Sequence, residues 1–499
     1  MSAVPPSTLL IGGHDQGLIW QVASMVNRHG LVAGATGTGK TVTLQVLAEG
    51  LSALGVPVFT ADIKGDLSGV ANAGKTNPKI TERLDRLALN DFGFHEFPVA
   101  LWDLFGVSGV PIRIAISEMG PLLLARLLNL NDTQTGVLYA TFKIADDHGL
   151  LLLDLADLRS MLAWVGEHAS ELKVEYGNLS PTSVAAIQRN LLVLEQQGAD
   201  QVFGEPALAL KDLMRTAPDG RGVINILDAT RLITTSPQLY GCFLIWLLAE
   251  LFEELPERGD ADKPLFVLFF DEAHLLFSDA PKALVDKIEQ VVRLIRSKGV
   301  GVFFVTQSPL DIPEAILGQL GLKIQHALRA FTPKEQKAVR VVAESFRANP
   351  ALDTVTAITE LGTGEALVSV LDAKGQPSPV ERTLIRPPSA QIGPIDAERR
   401  RELLESSDLM SRYKDPVDRE SAHEKLMQRT DARQTSFGDD RATKPLPTTA
   451  PPRQAGPQRQ TVGEALVKSV VRSIGTQLGS QLGRQVIRGV LGSLFGRGR

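Results

Sequence analysis

The stretch that most constrains this chain is Leu31 to Thr43, LVAGATGTGKTVT. An apolar run ends in Gly34, the string Gly34-Ala35-Thr36-Gly37-Thr38-Gly39-Lys40-Thr41 follows, and Val42 opens a segment with the spacing of a buried helix. Strand, glycine-rich loop and helix in that order are the context of a phosphate-binding P-loop. Glycines let successive backbone N–H groups converge on an anion, and the N-terminus of the new helix points its positive end at the same place. In that geometry Lys40 reaches the β- and γ-phosphates of a nucleoside triphosphate and the Thr41 hydroxyl ligates Mg²⁺. Residues 34–42 are therefore the expected nucleotide contacts. A chance match in a glycine-rich loop is the alternative, and the flanking strand and helix weigh against it.

A triphosphate loop needs a carboxylate partner to become a hydrolase. Leu265-Phe-Val-Leu-Phe-Phe270 is an apolar strand that ends in Asp271-Glu272-Ala273-His274. In this Walker B arrangement Asp271 holds Mg²⁺, and Glu272 orients or deprotonates the attacking water. The competing reading is an acidic turn, and His274 is by default a local hydrogen-bonding residue. The next strand, Val302 to Val305, ends in Thr306-Gln307-Ser308-Pro309; Gln307 is placed to sense the γ-phosphate or the water, with Thr306 in support. Transition-state charge also calls for a cation, often an arginine from a neighbouring subunit. Arg293, Arg296 and Arg329 are candidates, a surface salt bridge being the commoner fate of each, and Arg296 and Arg329 are favoured among the three. Asp62 and Asp66 either face the nucleotide edge of the sheet or cap a turn.

Continuous apolar runs alternate with helical periods, which indicates an α/β fold: a RecA-like P-loop core with a mostly parallel sheet covered on both faces. The expected divisions are a short lead-in at 1–29, with a β-hairpin as one option, and core at 30–90 and 221–388. A mostly helical insertion at 91–220 is capped at Asp132 and at Ser180-Pro-Thr182. A charged, Pro-rich and partly disordered linker is expected at 389–460. Over 461–499, Gly475, Gly479 and Gly483 recur four apart beside Leu478 and Leu482. That basic tail is read as flexible, as a helix pairing with a copy of itself, or as a helix lying on an anionic membrane.

With 499 residues, the chain is too long for one small core, and 43% hydrophobic with 22% charged residues is ordinary globular composition. The net charge of -5 is uneven: the body is acidic and the segment from Ser389 onward is basic. Any nucleic-acid surface must therefore be local. The single cysteine, Cys242, excludes an intrachain disulfide and sits in an apolar run as core filler. Gly241–Leu251 and Leu265–Phe270 fall short of the roughly 18–20 apolar residues that cross a bilayer. With no secretory leader pattern, the expectation is a cytoplasmic protein without a transmembrane segment.

The ordered set GATGTGKT, TADIKGD, LFFDEAHLLF, RLIRSKGVGVFFVTQSP and HALRAFTPKEQKAV resembles the HerA–FtsK superfamily of RecA-like motor ATPases, and the bacterial HerA-like family most closely. The resemblance covers roughly residues 8 to 390. It implies a ring-forming, usually hexameric ATPase that works on DNA with ATP and Mg²⁺. Lys40, Thr41, Asp271, Glu272 and Gln307 inherit their roles by that likeness, and Arg296 or Arg329 becomes a trans-acting finger. The sequence pattern shows neither the N-terminal β-barrel of HerA proper nor the winged-helix tail of FtsK. Two other functions remain open: a nucleotide-dependent switch or scaffold without translocation, and a membrane-associated ATPase held through its tail.

Overall fold

The computed structural model describes residues 7–259, 261–278, 280–330 and 332–429. The central run of strands is β3 (Gly30–Ala33), β4 (Val58–Asp62), β7 (Ile224–Asp228), β8 (Phe266–Phe270), β9 (Val300–Thr306) and β10 (Leu322–Gln325). On one flank lie β5 (Val99–Asp103) and β6 (Val110–Pro111); on the other lie β1 (Thr8–His14), β2 (Gly17–Val22), β11 (Glu365–Ser369) and β12 (Glu381–Ile385). Together they form a 12-stranded sheet in the order β2-β1-β12-β11-β10-β3-β9-β8-β4-β7-β5-β6. From β10 to β6 every pairing is parallel, and the β11, β12, β1 and β2 flank is antiparallel.

The central strands are apolar on both faces, as a sheet covered by helices on both sides requires. In β8, Phe269 packs on Phe303 in one layer, and Phe270 packs on Phe304 in the other. The helix Lys40–Ala53 covers the first face, and the long helix Pro237–Glu254 covers the second. Cys242, on the long helix, is fully buried, and burial pushes its thiol up to about 12. It is packing, with no thiolate at neutral pH.

The expected insertion at 91–220 begins later than its composition suggests. Val99–Asp103 belongs to the main sheet: Leu101 and Trp102 register on Ile226 and Leu227, and Trp102 Nε1 donates to Asn225 Oδ1 at 3.0 Å. Helices start only at Ile116 and run as Ile116–Leu127, Asp132–Asp147, Leu155–Glu167, Ala169–Tyr176 and Pro181–Gln196. The second of these is capped by Asn131, one residue before the expected Asp132, in a reciprocal box with Gln134. Asp154 and Asp157 form the same device on the third. Ser180 stands at the start of Pro181–Gln196 without a side-chain capping bond.

Within the expected 389–460 linker, residues 389–429 carry the helices Ala397–Glu405 and Asp408–Tyr413 and pack onto the body. Glu49, buried in the P-loop helix, pairs with Arg386 at 3.3 Å and accepts the N–H groups of Ser389 and Ala390. Further on, Tyr413 is 1% exposed, stacks edge-on against Trp102 and donates its hydroxyl to Asp212 at 2.6 Å. Ser421 then donates to Asp157 at 2.5 Å. A sparse set of anchors (Ile395, Leu409, Tyr413, Leu426) is enough to dock a segment whose other residues are charged. The Pro/Thr-rich stretch 444–460 and the glycine-striped 461–499 lie outside the described residues.

His29, just before β3, is fully buried at φ 62, and its Nδ1 accepts the Val302 N–H at 3.1 Å. Burial lowers its pKa from 6.5 to about 4. Between those two values the unfolded chain binds the proton and the folded chain does not. The stability His29 contributes is therefore complete above pH 6.5 and is lost as pH falls toward 4. Asn tolerates a positive φ and keeps an acceptor, so His29→Asn should remove this dependence. Urea titrations should show the wild-type chain losing about 3 kcal/mol more than the variant across that window. Parallel losses in the two proteins would refute the assignment.

Candidate functional site

The C-terminal ends of the parallel strands assemble the residues that the motifs single out. Ala33 registers on Thr306, so the glycine loop leaves β3 beside the end of β9. The loop is tied to both neighbouring strand ends: Gly34 N–H donates to the Thr306 carbonyl at 3.3 Å, and Ala35 N–H to the Ala327 carbonyl at 2.9 Å. Gly34 has φ 153, and a Cβ there would stand 2.5 Å from His326 Cβ, so only glycine fits. Gly37 and Gly39 also hold positive φ, at 77 and 117. Thr36 and Gly37 are exposed at the crest of the loop, while Thr38 is buried and donates to the Ala35 carbonyl at 2.7 Å. Thr41 and Val42 stand in the first turn of the helix that Lys40 begins.

Lys40 is buried. Its Nζ donates to the Gly34 carbonyl at 2.5 Å and lies 3.3 Å from that of Ala35. Burial lowers its pKa, and the negative charges of Glu272 and Asp271 oppose that shift. The same electrostatic neighbourhood lifts the Asp271 carboxyl to about 7, through burial first and the Glu272 charge second. Asp271 Oδ1 accepts the Glu272 N–H at 2.9 Å, and Tyr240 donates its hydroxyl to the Asp271 carbonyl at 2.7 Å. Ala273 N–H donates to the Val305 carbonyl at 3.0 Å, locking the acidic turn to β9.

Glu272 has φ 46, a conformation a non-glycine residue adopts at a cost that surrounding structure must offset. Its Oε2 is buried without a hydrogen-bond partner among the described residues. His274 Nδ1 stands 3.2 Å away, off the line of a hydrogen bond. Gln307 is exposed and opens, with His274, Ser308 and Asp311, onto a cavity of about 540 Å³. Thr306 is fully buried and donates to Asp311 at 2.8 Å, so it braces the turn after β9.

Asp62 takes the turn-capping alternative: its carboxylate accepts the N–H groups of Gly65, Asp66 and Leu67 at 2.7, 3.1 and 2.9 Å. That turn carries Lys64 into the field of both Lys40 and Asp271, and the motif reading missed it. Its only signal was a lysine two positions past a strand-ending aspartate. His326 was missed as well. It is fully buried between Thr43 Oγ1 and the Glu365 carbonyl, both at 2.8 Å, behind the loop.

The two candidate finger arginines part company. Arg329 follows the Ala327 carbonyl that holds the loop, is exposed, and has a long 3.4 Å contact to the Thr359 carbonyl. Arg296 lies at the opposite end of the sheet, before β9 begins, and cannot reach the loop of its own chain.

Among the described residues, no cluster of three His, Cys, Asp or Glu side chains forms a metal cage. Magnesium commonly needs none, because one or two protein oxygens complete a shell made mostly of phosphate and water. A buried carboxyl whose pKa is raised by burial and by a second carboxylate is short of a cation, so Asp271, with Thr41 beside Lys40, fits that role.

A glycine loop leading into a helix, with an acidic pair on a nearby strand of a mostly parallel sheet, defines a RecA-like P-loop fold. The model of the family described as "Helicase HerA-like C-terminal" matches residues 8–499, and the chain belongs to that family. It is 24% identical over 361 residues to the DNA double-strand break repair helicase HerA of Sulfurisphaera tokodaii, covering 69% of this chain and 62% of that protein. It is 32% identical over 138 residues to "Probable helicase MJECL08" of Methanocaldococcus jannaschii, covering 26% of this chain and 25% of that protein. In both cases the match spans less than two thirds of the relative. Among solved structures, VirB4 of Thermoanaerobacter pseudethanolicus aligns over 80% of this chain and 100% of its own, at TM-score 0.49 and 15% identity. The bacterial conjugative coupling protein TrwBdeltaN70 aligns over 78% and 93%, at TM-score 0.48 and 15% identity. No helix among the described residues is long and apolar enough to cross a membrane.

Proposed function

We propose that this protein hydrolyses ATP with Mg²⁺ in the cytoplasm, as a hexameric ring of identical chains that moves along DNA. The observation that carries the hydrolysis is the meeting of Lys40, Asp271 and Glu272 at the ends of β3 and β8, with Gln307 after β9. In this reading, residues 34–42 cradle the phosphates with backbone N–H groups, and Lys40 exchanges the Gly34 and Ala35 carbonyls for phosphate oxygens. Thr41 and Asp271 would hold the metal, which would supply charge neutralisation at the phosphates. Glu272 takes the proton of the attacking water with its Oε2, which accepts no hydrogen bond among the described residues, and Gln307 orients that water. Arg329, or Arg296 of a neighbouring copy, supplies the remaining positive charge.

Family membership and the name of the Sulfurisphaera relative support DNA as the polymer. The decisive measurement is ATPase rate with and without duplex and single-stranded DNA at several salt concentrations, beside the mass of the particle with and without nucleotide. A DNA-moving ring should show turnover that rises several-fold with DNA, a rise that salt abolishes because phosphate contacts release counterions. Its mass should also be a multiple of the chain. Turnover unaffected by DNA would discard translocation and favour the switch or scaffold.

A further inference from the structure

At the end of the sheet opposite the glycine loop, the starts of β3, β9 and β10 and the end of β11 surround a cavity of about 430 Å³. Arg28, Arg293, Arg296, Lys323 and Arg347 line it, and no carboxylate does among the described residues. They come from five places in the fold: the turn before β3, the helix Lys282–Ile295, the turn after it, β10, and the loop beyond the helix Pro333–Glu344. Only partial neutralisation is present. Arg293 pairs with Glu289, while Lys323 and Arg347 each give one donor to a carbonyl, of Ser345 and Pro377, both at 2.9 Å.

Arg28 is the most telling of the five. Its guanidinium lies against Gly375, which has φ 77 and where a Cβ would stand 2.2 Å from Nη1. Its Nε is buried and has no hydrogen-bond partner among the described residues. A buried donor left unsatisfied is costly and rare in folded proteins. Five cations around one recess also repel one another unless an anion lies between them. The chain as a whole carries a net charge of -5, so this concentration is local and does not follow from composition.

We propose that this cavity binds a linear oligophosphate, free or as the tail of a nucleotide, at a site separate from the glycine loop. Arginine forks match phosphate oxygens two at a time, and the volume lies within the roughly 300–1,000 Å³ of small-molecule sites. The length of β9, roughly 20 Å, separates the cavity from the loop. Arg296 of the same chain is part of this lining, so on this proposal Arg329 is the arginine left for the glycine loop.

The test uses the full-length chain carrying Lys40→Ala, which silences the glycine loop, so failure here leaves the proposed hydrolysis untouched. Tripolyphosphate, ATP and a short single-stranded oligonucleotide are titrated separately by calorimetry at low and high salt. Tripolyphosphate should bind at one site per chain, and Arg347→Ala, on the surface, should weaken it by about tenfold. Gly375→Ala, which displaces the Arg28 guanidinium, should do the same. ATP binding tighter than tripolyphosphate with the same losses would support a nucleotide tail as the source, and equal affinity would support the free oligophosphate. Absence of tripolyphosphate binding, or binding that neither variant weakens, overturns the proposal. So does an oligonucleotide that binds more tightly than either and is lost with the same variants, since the cavity would then serve nucleic acid.

Discussion

Glu272→Gln is expected to reduce ATP turnover by about 10²–10⁴-fold while nucleotide binding stays within a few-fold of the wild-type chain. The substitution keeps the volume and the φ 46 backbone, and it removes the capacity to accept a proton at a buried oxygen whose nearest polar neighbour is His274 Nδ1 at 3.2 Å. The backbone that carries the side chain is held in place: Asp271 Oδ1 accepts the Glu272 N–H, and the Ala273 N–H is tied to the Val305 carbonyl of β9. The amide should therefore sit where the carboxylate sat. A fluorescent nucleotide reports binding and phosphate release reports turnover. Turnover within tenfold of wild type would remove Glu272 from the chemistry.

Lys40→Ala should abolish both measurements together. Removing one preorganised charge donor costs about 10²–10³-fold in turnover in comparable sites. Here the same ammonium also offsets the field of Asp271 and Glu272 on an incoming triphosphate. The fold should survive, because the P-loop helix is anchored elsewhere by the buried Glu49–Arg386 pair and by Leu44, Leu47 and Leu51. Unchanged circular dichroism beside lost binding is the expected result. Retained binding and turnover would mean that the loop is not the nucleotide site. The two variants together separate capture of the triphosphate from its cleavage.

The parallel core was legible because strands buried on both faces are written as unbroken apolar runs, as Phe266 to Phe270 and Val300 to Val305 show. Motif spacing singled out Lys40, Asp271 and Glu272, and the fold brings the three into one electrostatic neighbourhood. Harder to read was whatever depends on a distant partner. Asp62 could have faced a nucleotide, and only the course of the following turn shows it capping Gly65 to Leu67. Val99 to Asp103 looked like the edge of an insertion until Asn225 and Trp102 joined it to the sheet. The docking of residues from Ser389 to Arg429 was not legible, because a docked strap needs few apolar anchors and their partners (Trp102, Asp157, Asp212) are remote in the chain.

By itself the sequence determined the glycine loop, the acidic strand end and the apolar strands, because each is a local pattern written within about ten residues. Tertiary structure alone decided that Arg296 and Arg329 stand at opposite ends of one sheet. It also decided that Lys64 and His326 attend the loop, and that five scattered cations share a cavity. Charge acts through space, and no spacing along the chain records which distant groups the fold will bring to the same place.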